Sequence, residues 1–153
     1  MSTRTRPAVD VERVGIWGFS QGGWIGPLAA AASDRVAFLV LIASTGVTPS
    51  AQMMYATGEQ LRRGGYDEAV VSRALALRRA LEDWVHGRGR EREPELKAKL
   101  GSALDEPWWP LTFLPPTLLN EEECRLWIDE MDFDPRPVFA QVRVPTLLYL
   151  RRG

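Results

Sequence analysis

The chain has 153 residues, of which 45% are hydrophobic and 25% are charged, and its formal net charge is -1. These values are typical of one ordinary globular domain that can bury a core without disulfides. The 19 basic and 20 acidic residues nearly cancel. Because no excess positive field exists to attract nucleic acid or an anionic membrane surface, neither is expected as a partner.

Targeting signals and metal-binding signals are also missing from the sequence. Cys124 is the single cysteine, which excludes an intramolecular disulfide and a cysteine-rich metal site. The longest apolar run, Val36–Ala43, is far shorter than a membrane span, and residues 1–7 contain no apolar signal-peptide core. The sequence therefore predicts a cytoplasmic protein with no cofactor.

The first third of the chain predicts a strand, a helix and a second strand. Arg13–Trp17 has the pattern of a short buried strand that ends at a glycine. Gln21–Ser33 predicts a helix that loses one hydrogen bond at Pro27 and continues beyond it. Val36–Ala43 is apolar throughout, which is typical of a parallel strand covered on both faces. This order fits one βαβ unit of an α/β fold.

Helical patterns follow the second strand. A helix is expected from Asp67 to Gly87, with one apolar face that consists of Val70, Ala74, Leu77, Leu81 and Trp84. The stretch Gly87–Glu95 is charged and contains helix breakers, so we expect a solvated loop there.

The last third predicts one more helix and a returning strand. Asn120 and Glu123 have the spacing of a capping box at a helix start, and Pro135 and Pro137 are expected to close that segment. Val142–Leu150 returns to strand character. The sequence thus divides into part of an α/β core, a helical insertion and a returning core strand, at residues 1–48, 49–137 and 138–153.

A short glycine-rich motif, G-x-S-x-G, lies between the first strand and the first helix. It consists of Gly18, Ser20 and Gly22, and the glycines are expected to clear space for a tight turn. Such a turn would expose the Ser20 hydroxyl at the start of a helix, where the backbone N–H of Gln21 could donate to developing negative charge. The alternative is a strand-to-helix turn of another α/β protein in which Ser20 serves only as a helix cap.

Two segments resemble the serine hydrolases of the α/β-hydrolase fold, in particular the esterase and dipeptidyl-peptidase-like branch. They are Val14–Trp24, which contains the motif, and the strand Val144–Leu150. The resemblance implies an α/β-hydrolase fold fragment, with parallel sheet strands and a helical cap insertion. It also implies that Ser20 is the nucleophile and that the Gln21 N–H belongs to the oxyanion hole.

The rest of the family's catalytic set has no counterpart in the sequence. In the family the acid follows the strand that here is Val144–Leu150, the histidine lies further on, and the second oxyanion donor lies before the motif. The resemblance therefore implies the middle part of a hydrolase. The strand Arg13–Trp17 would then have an unpaired apolar edge through which chains could associate.

Local residues offer little to replace that set. His86 is the single histidine, and its place at a helix end favours a polar C-terminal role over a catalytic one. An acidic cluster is expected to be a solvated helix end and not a metal site, and it consists of Asp129, Glu130, Asp132 and Asp134. Trp108 and Trp109, flanked by prolines, are expected to lie in a loop and are the best candidates to line a pocket; the alternative is that they only pack the helical insertion onto the sheet.

These patterns predict a serine hydrolase of the carboxylic ester type that forms an acyl-enzyme on Ser20. The tryptophan-rich insertion favours an uncharged, apolar ester or amide as the small-molecule substrate. The 153 residues alone are expected to be inactive, because acid, histidine and second oxyanion donor are missing. The alternative is a non-catalytic hydrolase remnant or an interaction module.

Overall fold

The computed structural model describes residue 10 and residues 14–149, and their contacts group them into two compact units. The sheet unit contains the described residues up to Val47 and those from Asp134 onward, and the helical unit is Thr48–Phe133. Residues 134–137, which the sequence assigned to the helical insertion, thus group with the sheet unit.

Three parallel strands form the sheet of the sheet unit. They are β1 (Gly15–Phe19), β2 (Phe38–Ile42) and β3 (Thr146–Tyr149), in the order β1-β2-β3. The register pairs Trp17 with Val40, and Val40 with Leu147. The predicted α/β class with a parallel sheet is confirmed, and the hydrolase fold stays a prediction.

The first strand runs further than the sequence indicated. We expected it to end at Trp17, but Gly18 and Phe19 continue the parallel ladder against Leu41 and Ile42. Gly18 does not end β1, because the turn begins two residues later, at Ser20. Arg13 and Leu150, at the outer ends of two predicted strands, lie outside the described residues.

One face of the sheet is covered by helices. The helix α1 (Gly22–Ala32) approaches closely at Gly26, where a Cβ would lie 3.3 Å from the Leu41 side chain. The short helix α6 (Arg136–Phe139) contributes Phe139 to the same core. That core contains Val36, Leu39 and Leu41, with Ile16, Ala30, Phe139, Val142 and Val144 packed around it.

The opposite face of the sheet is apolar and exposed. Trp17 and Phe19 stack with their ring centroids 6.4 Å apart, and they are 64% and 57% exposed. Phe38, Leu147 and Tyr149 are exposed on the neighbouring strands. The prediction that β2 is covered on both faces is therefore wrong, because both helices pack on the Leu39 and Leu41 side.

Four helices make up most of the helical unit: α2 (Pro49–Arg63), α3 (Glu68–Val85), α4 (Glu93–Ala103) and α5 (Glu121–Met131). The predicted capping box is confirmed. The Asn120 side chain accepts from the Glu123 N–H at 3.0 Å, and the Glu123 carboxylate accepts from the Asn120 N–H at 2.8 Å. The predicted apolar face of α3 is buried, except that Val71 lies deeper than Val70.

The predicted break between two helices is confirmed, but it is shorter than expected. Arg90–Arg92 forms a 3-10 turn, and α4 then begins at Glu93 within the expected loop. Pro94 fits there because a first-turn residue needs no N–H partner, and α4 is held by its buried Leu96 and Leu100.

The prolines near the end of the chain also act differently from the prediction. The helix α5 already ends at Met131, whereas Pro135 and Pro137 stand at the start of α6. Both prolines therefore open a helix, and neither ends one.

A buried arginine links parts of the helical unit. Arg78 is 1% exposed, and its Nη1 donates to the Thr112 carbonyl at 3.1 Å. Its Nε lies 3.3 Å from Glu82 Oε1, and burial lowers the pKa of its guanidinium. None of the helices in the described ranges has the length and apolar character needed to cross a membrane.

Candidate active site

Ser20 occupies a turn with an uncommon backbone conformation. Its φ is 52°, in the left-handed region that residues other than glycine rarely adopt. The Ser20 N–H donates to the Ile42 carbonyl at 3.1 Å, and the Ser20 carbonyl accepts from the Gly23 N–H at 2.7 Å. The residue itself is exposed. A strained, exposed serine between a parallel strand and a helix is compatible with a nucleophile elbow, which stays a prediction.

Gly18 is sterically required for this turn, whereas Gly22 is not. A Cβ at Gly18 would lie 2.2 Å from the carbonyl oxygen of Gly22, so any side chain there would collide with the backbone. A Cβ at Gly22 would have no neighbour within 4 Å among the described atoms. The expectation that Gly22 clears space is therefore wrong, because the crowded position is Gly23.

The turn is also tied to the end of β2. A Cβ at Gly23 would lie 2.8 Å from the Ser44 Cβ, so glycine permits the close approach. The Ser44 hydroxyl donates to the Gly23 carbonyl at 3.1 Å. Pro27, four residues later, has no N–H with which to bond that carbonyl. Ser44 thus replaces the hydrogen bond that Pro27 cannot make, and α1 continues to Ala32.

Gln21 lies where α1 begins. Its carbonyl accepts from the N–H groups of Trp24 and Ile25 at 3.0 and 3.2 Å, which places it in the N-cap position. The positive end of the helix dipole is consequently next to Ser20, where it favours negative charge. The oxyanion role of the Gln21 N–H stays a prediction.

A second left-handed residue stands beside Ser20 at the carboxyl edge of the sheet. Ala43 has φ 55°, and its N–H donates to the Tyr149 carbonyl at 3.2 Å. The strands β1 and β2 thus both end in left-handed turns at one edge. The carboxyl edge is where open parallel sheets bind their ligands.

His86 is engaged within the helical unit. Its Nδ1 lies 2.6 Å from the Glu82 carbonyl oxygen, and its Nε2 lies 2.7 Å from Asp132 Oδ2. Both partners are hydrogen-bond acceptors, so the doubly protonated ring fits best. The hydrogen bonds to Asp132 and then to Glu82 raise the pKa of His86. Neither ring nitrogen is therefore suited to accept a proton from a serine hydroxyl.

Two members of the acidic cluster form ion pairs. Asp132 contacts His86, and Asp134 accepts from Arg136 Nη2 at 2.7 Å. In the part of the chain that the structure describes, no three histidine, cysteine or carboxylate side chains are grouped so that they could hold a metal ion. Sequence reasoning missed the pair of His86 and Asp132; its only signal was a histidine and an acidic run, each at a helix end.

The two tryptophans lie in the helical unit and differ in role. Trp108 is 2% exposed and lines a cavity of about 250 Å³. Trp109 begins a 3-10 turn, Trp109–Leu111, and packs half-buried on the helical core. The expected loop is thus partly helical. Ser20, Gln21, Gly18 and Gly22 belong to the sheet unit, whereas both tryptophans and His86 belong to the helical unit.

No protein-family model, curated protein or solved structure matches the chain. The functional conclusion below therefore depends on the geometry of the Ser20 turn.

Proposed function

We propose that Ser20 is the nucleophile of a serine hydrolase that acts on carboxylic esters. One observation carries the proposal: Ser20 has a φ of 52° at the junction of a parallel strand and a helix. A left-handed serine at this junction is strained, and backbone strain of this kind concentrates at functional sites. The alternative role, a helix cap, has less support because Gln21, and not Ser20, occupies the N-cap position of α1.

The chemistry follows from the position of the hydroxyl. Ser20 Oγ would attack the ester carbonyl, and the negative charge on its oxygen would develop near the first turn of α1. The alcohol would leave as an acyl-enzyme forms on Ser20, and water would then release the carboxylic acid. An uncharged, apolar substrate remains the class that we propose.

The base for this reaction is not His86. Both of its ring nitrogens are bonded to acceptors, and the sequence contains one histidine. Loss of the base of a serine triad lowers kcat by about 10⁶, with roughly 10³–10⁴ over water left to the oxyanion hole and binding. We therefore expect the 153-residue chain alone to form an acyl-enzyme slowly and to show no efficient turnover.

A second candidate is a non-catalytic module of hydrolase descent. The contacts of His86 favour this second candidate. Its ring is bonded to the Glu82 carbonyl and to Asp132, which stabilises the helix ends, and no histidine is left to assist Ser20. The two candidates differ in one measurable property, the reactivity of the Ser20 hydroxyl.

Acylation by p-nitrophenyl acetate separates them. The purified chain is incubated with the ester, and peptide mass spectrometry then locates the acetyl group. We expect an acetyl ester on Ser20 that forms slowly and is absent from Ser20→Ala. Acetylation without preference for Ser20 would favour the non-catalytic module. Fast steady-state hydrolysis that both Ser20→Ala and His86→Ala abolish would overturn the exclusion of His86.

A further inference from the structure

The end of β2 holds the Ser20 turn at two points. On the strand side, the Ile42 carbonyl accepts from the Ser20 N–H at 3.1 Å. On the helix side, the Ser44 hydroxyl donates to the Gly23 carbonyl at 3.1 Å, and the Gly23 N–H donates to the Ser20 carbonyl at 2.7 Å. The N–H of Ser20 and, through Gly23, its carbonyl are thus both connected to the end of β2.

Ser44 is buried beside α1. It is 8% exposed, and it follows Ala43, whose φ of 55° is left-handed. A Cβ on Gly23 would lie 2.8 Å from the Ser44 Cβ, so the loop after β2 approaches the helix closely. Because water has little access, solvent does not compete for the Ser44 hydroxyl, and its bond to the Gly23 carbonyl is stronger than it would be on the surface.

Position 23 needs a glycine and also needs a restraint. Only glycine allows the close approach of Ser44, yet glycine has more backbone freedom than any other residue. In a regular helix the carbonyl of residue 23 would accept from the N–H of residue 27, but Pro27 has no N–H. Without Ser44, the Gly23 carbonyl would lack this donor. The Gly23 N–H, which holds the Ser20 carbonyl, would then be less firmly placed.

We propose that Ser44 is a positioning residue for the reaction at Ser20. Its hydroxyl fixes Gly23, and Gly23 in turn keeps the backbone of Ser20 in the left-handed conformation at the start of α1. In this role Ser44 acts through Gly23 and not on the substrate. The inference rests on the proposed function of Ser20 and adds a residue that lies outside the G-x-S-x-G motif.

The rate of labelling by a fluorophosphonate tests this role. Labelling of the full chain is followed at each serine by peptide mass spectrometry, at a temperature well below the unfolding transition. The exposed Ser72 and Ser102 are the references. We expect Ser44→Ala to slow labelling at Ser20 about tenfold and to leave both references unchanged, since a misplacement of about 1 Å can cost 10²-fold in rate.

Two further variants separate positioning from a general loss of stability. In Ser44→Ala combined with Pro27→Ala, the new amide at position 27 can donate to the Gly23 carbonyl, so most of the lost rate at Ser20 should return. Thr57→Val is the matched control, because the buried Thr57 hydroxyl also donates to a carbonyl, that of Thr112 at 3.4 Å in the helical unit. Its loss should leave the rate at Ser20 unchanged.

The possible results distinguish this inference from the proposed function. If Ser20 is labelled faster than the references in the native chain and equally fast in Ser44→Ala, the positioning role alone is overturned. The same holds if Thr57→Val slows Ser20 as much as Ser44→Ala does, or if Pro27→Ala restores nothing. If the native chain labels Ser20 no faster than the references, the proposed function fails, and the positioning role fails with it.

Discussion

The conformation of Ser20 is set by groups outside its own side chain. Its N–H and carbonyl are bonded to Ile42 and Gly23, and the start of α1 comes within 2.2 Å of where a Cβ of Gly18 would stand. A side chain at position 18 would therefore push against the start of α1, next to Ser20. Substitutions of Gly18 and of Gly22 should therefore change the stability of the chain by different amounts.

Gly18→Ala should destabilise the chain, because its new methyl group would collide with the carbonyl of Gly22. Overpacking of this kind costs about 1–3 kcal/mol of unfolding free energy, measurable by urea denaturation. Gly22→Ala is the matched control. With no neighbour within 4 Å of its Cβ, it should be neutral or stabilise α1 by up to about 1 kcal/mol. Equal losses from both variants would contradict the assigned turn geometry.

Ser44→Ala should destabilise the chain by about 1 kcal/mol, since the Gly23 carbonyl loses its hydroxyl donor. In a Pro27→Ala background the loss should be smaller, because the new amide at position 27 can bond the same carbonyl. A double-mutant cycle by urea denaturation measures this coupling. Strict additivity of the two substitutions would show that Ser44 does not replace the bond that Pro27 removes.

The ends of α3 and α5 are joined by one titratable contact. His86 follows α3 and Asp132 follows α5, and their side chains lie 2.7 Å apart. In the folded chain the pKa of His86 lies above its ordinary value of 6.5. The stabilisation is thus complete below about pH 6.5 and is lost as the pH rises through the raised pKa.

Asp132→Asn should reduce this pH dependence, because only the hydrogen bond to the Glu82 carbonyl then raises the His86 pKa. The unfolding free energy of the native chain should fall relative to that of Asp132→Asn as the pH rises from about 5.5 to about 9. Over this pH range, the unfolding free energy of the native chain should fall by roughly 0.5 kcal/mol relative to that of Asp132→Asn. The effect is small because Asp132 is partly exposed and the pair is screened by solvent. Asp129→Asn, at an exposed carboxylate of α5, should titrate like the native chain. A difference that grows with pH would contradict the assigned contact.

Local signals predicted some elements well and others poorly. The capping box of Asn120 and Glu123 depends on residues three positions apart, so the sequence alone could locate the start of α5. The start of α4 was missed because the charge around Pro94 hid the buried spacing of Leu96 and Leu100. Such a face stabilises a helix only through tertiary packing, which a local pattern does not contain.

The same limit applies to the candidate site. The motif predicted a turn at Ser20 because strand, glycine, serine and helix are adjacent in the sequence. The contact of Gly23 with Ser44 joins residues 21 positions apart, and that of His86 with Asp132 joins residues 46 positions apart. Both depend on how the elements pack, so sequence reasoning could not foresee that His86 is engaged.

The sheet unit exposes an apolar surface on the face opposite α1 and α6. Trp17, Phe19 and Tyr149 are each more than half exposed on one face, and β1 lies at an edge of the described sheet. Parallel sheets are usually covered on both faces, and an apolar edge strand invites pairing with another chain. We therefore propose that the chain self-associates through β1.

Sedimentation velocity should show a weight-average mass that increases with concentration. Trp17→Lys places a charge on the edge strand and should shift the distribution towards monomer. Tyr55→Lys, at an exposed aromatic residue of α2, is the control and should sediment like the native chain. A native chain that stays monomeric at every concentration would contradict self-association through this strand.

The reactivity of Ser20 relative to the other exposed serines is the most direct test of its role. Reaction of the folded chain with a fluorophosphonate, followed by peptide mass spectrometry, gives the extent of labelling at each serine. Ser72 and Ser102 are exposed on helices and serve as internal references. We expect faster labelling at Ser20 than at both references, and loss of that preference in Gly18→Ala. Equal labelling of the three serines would show that Ser20 is not an activated nucleophile.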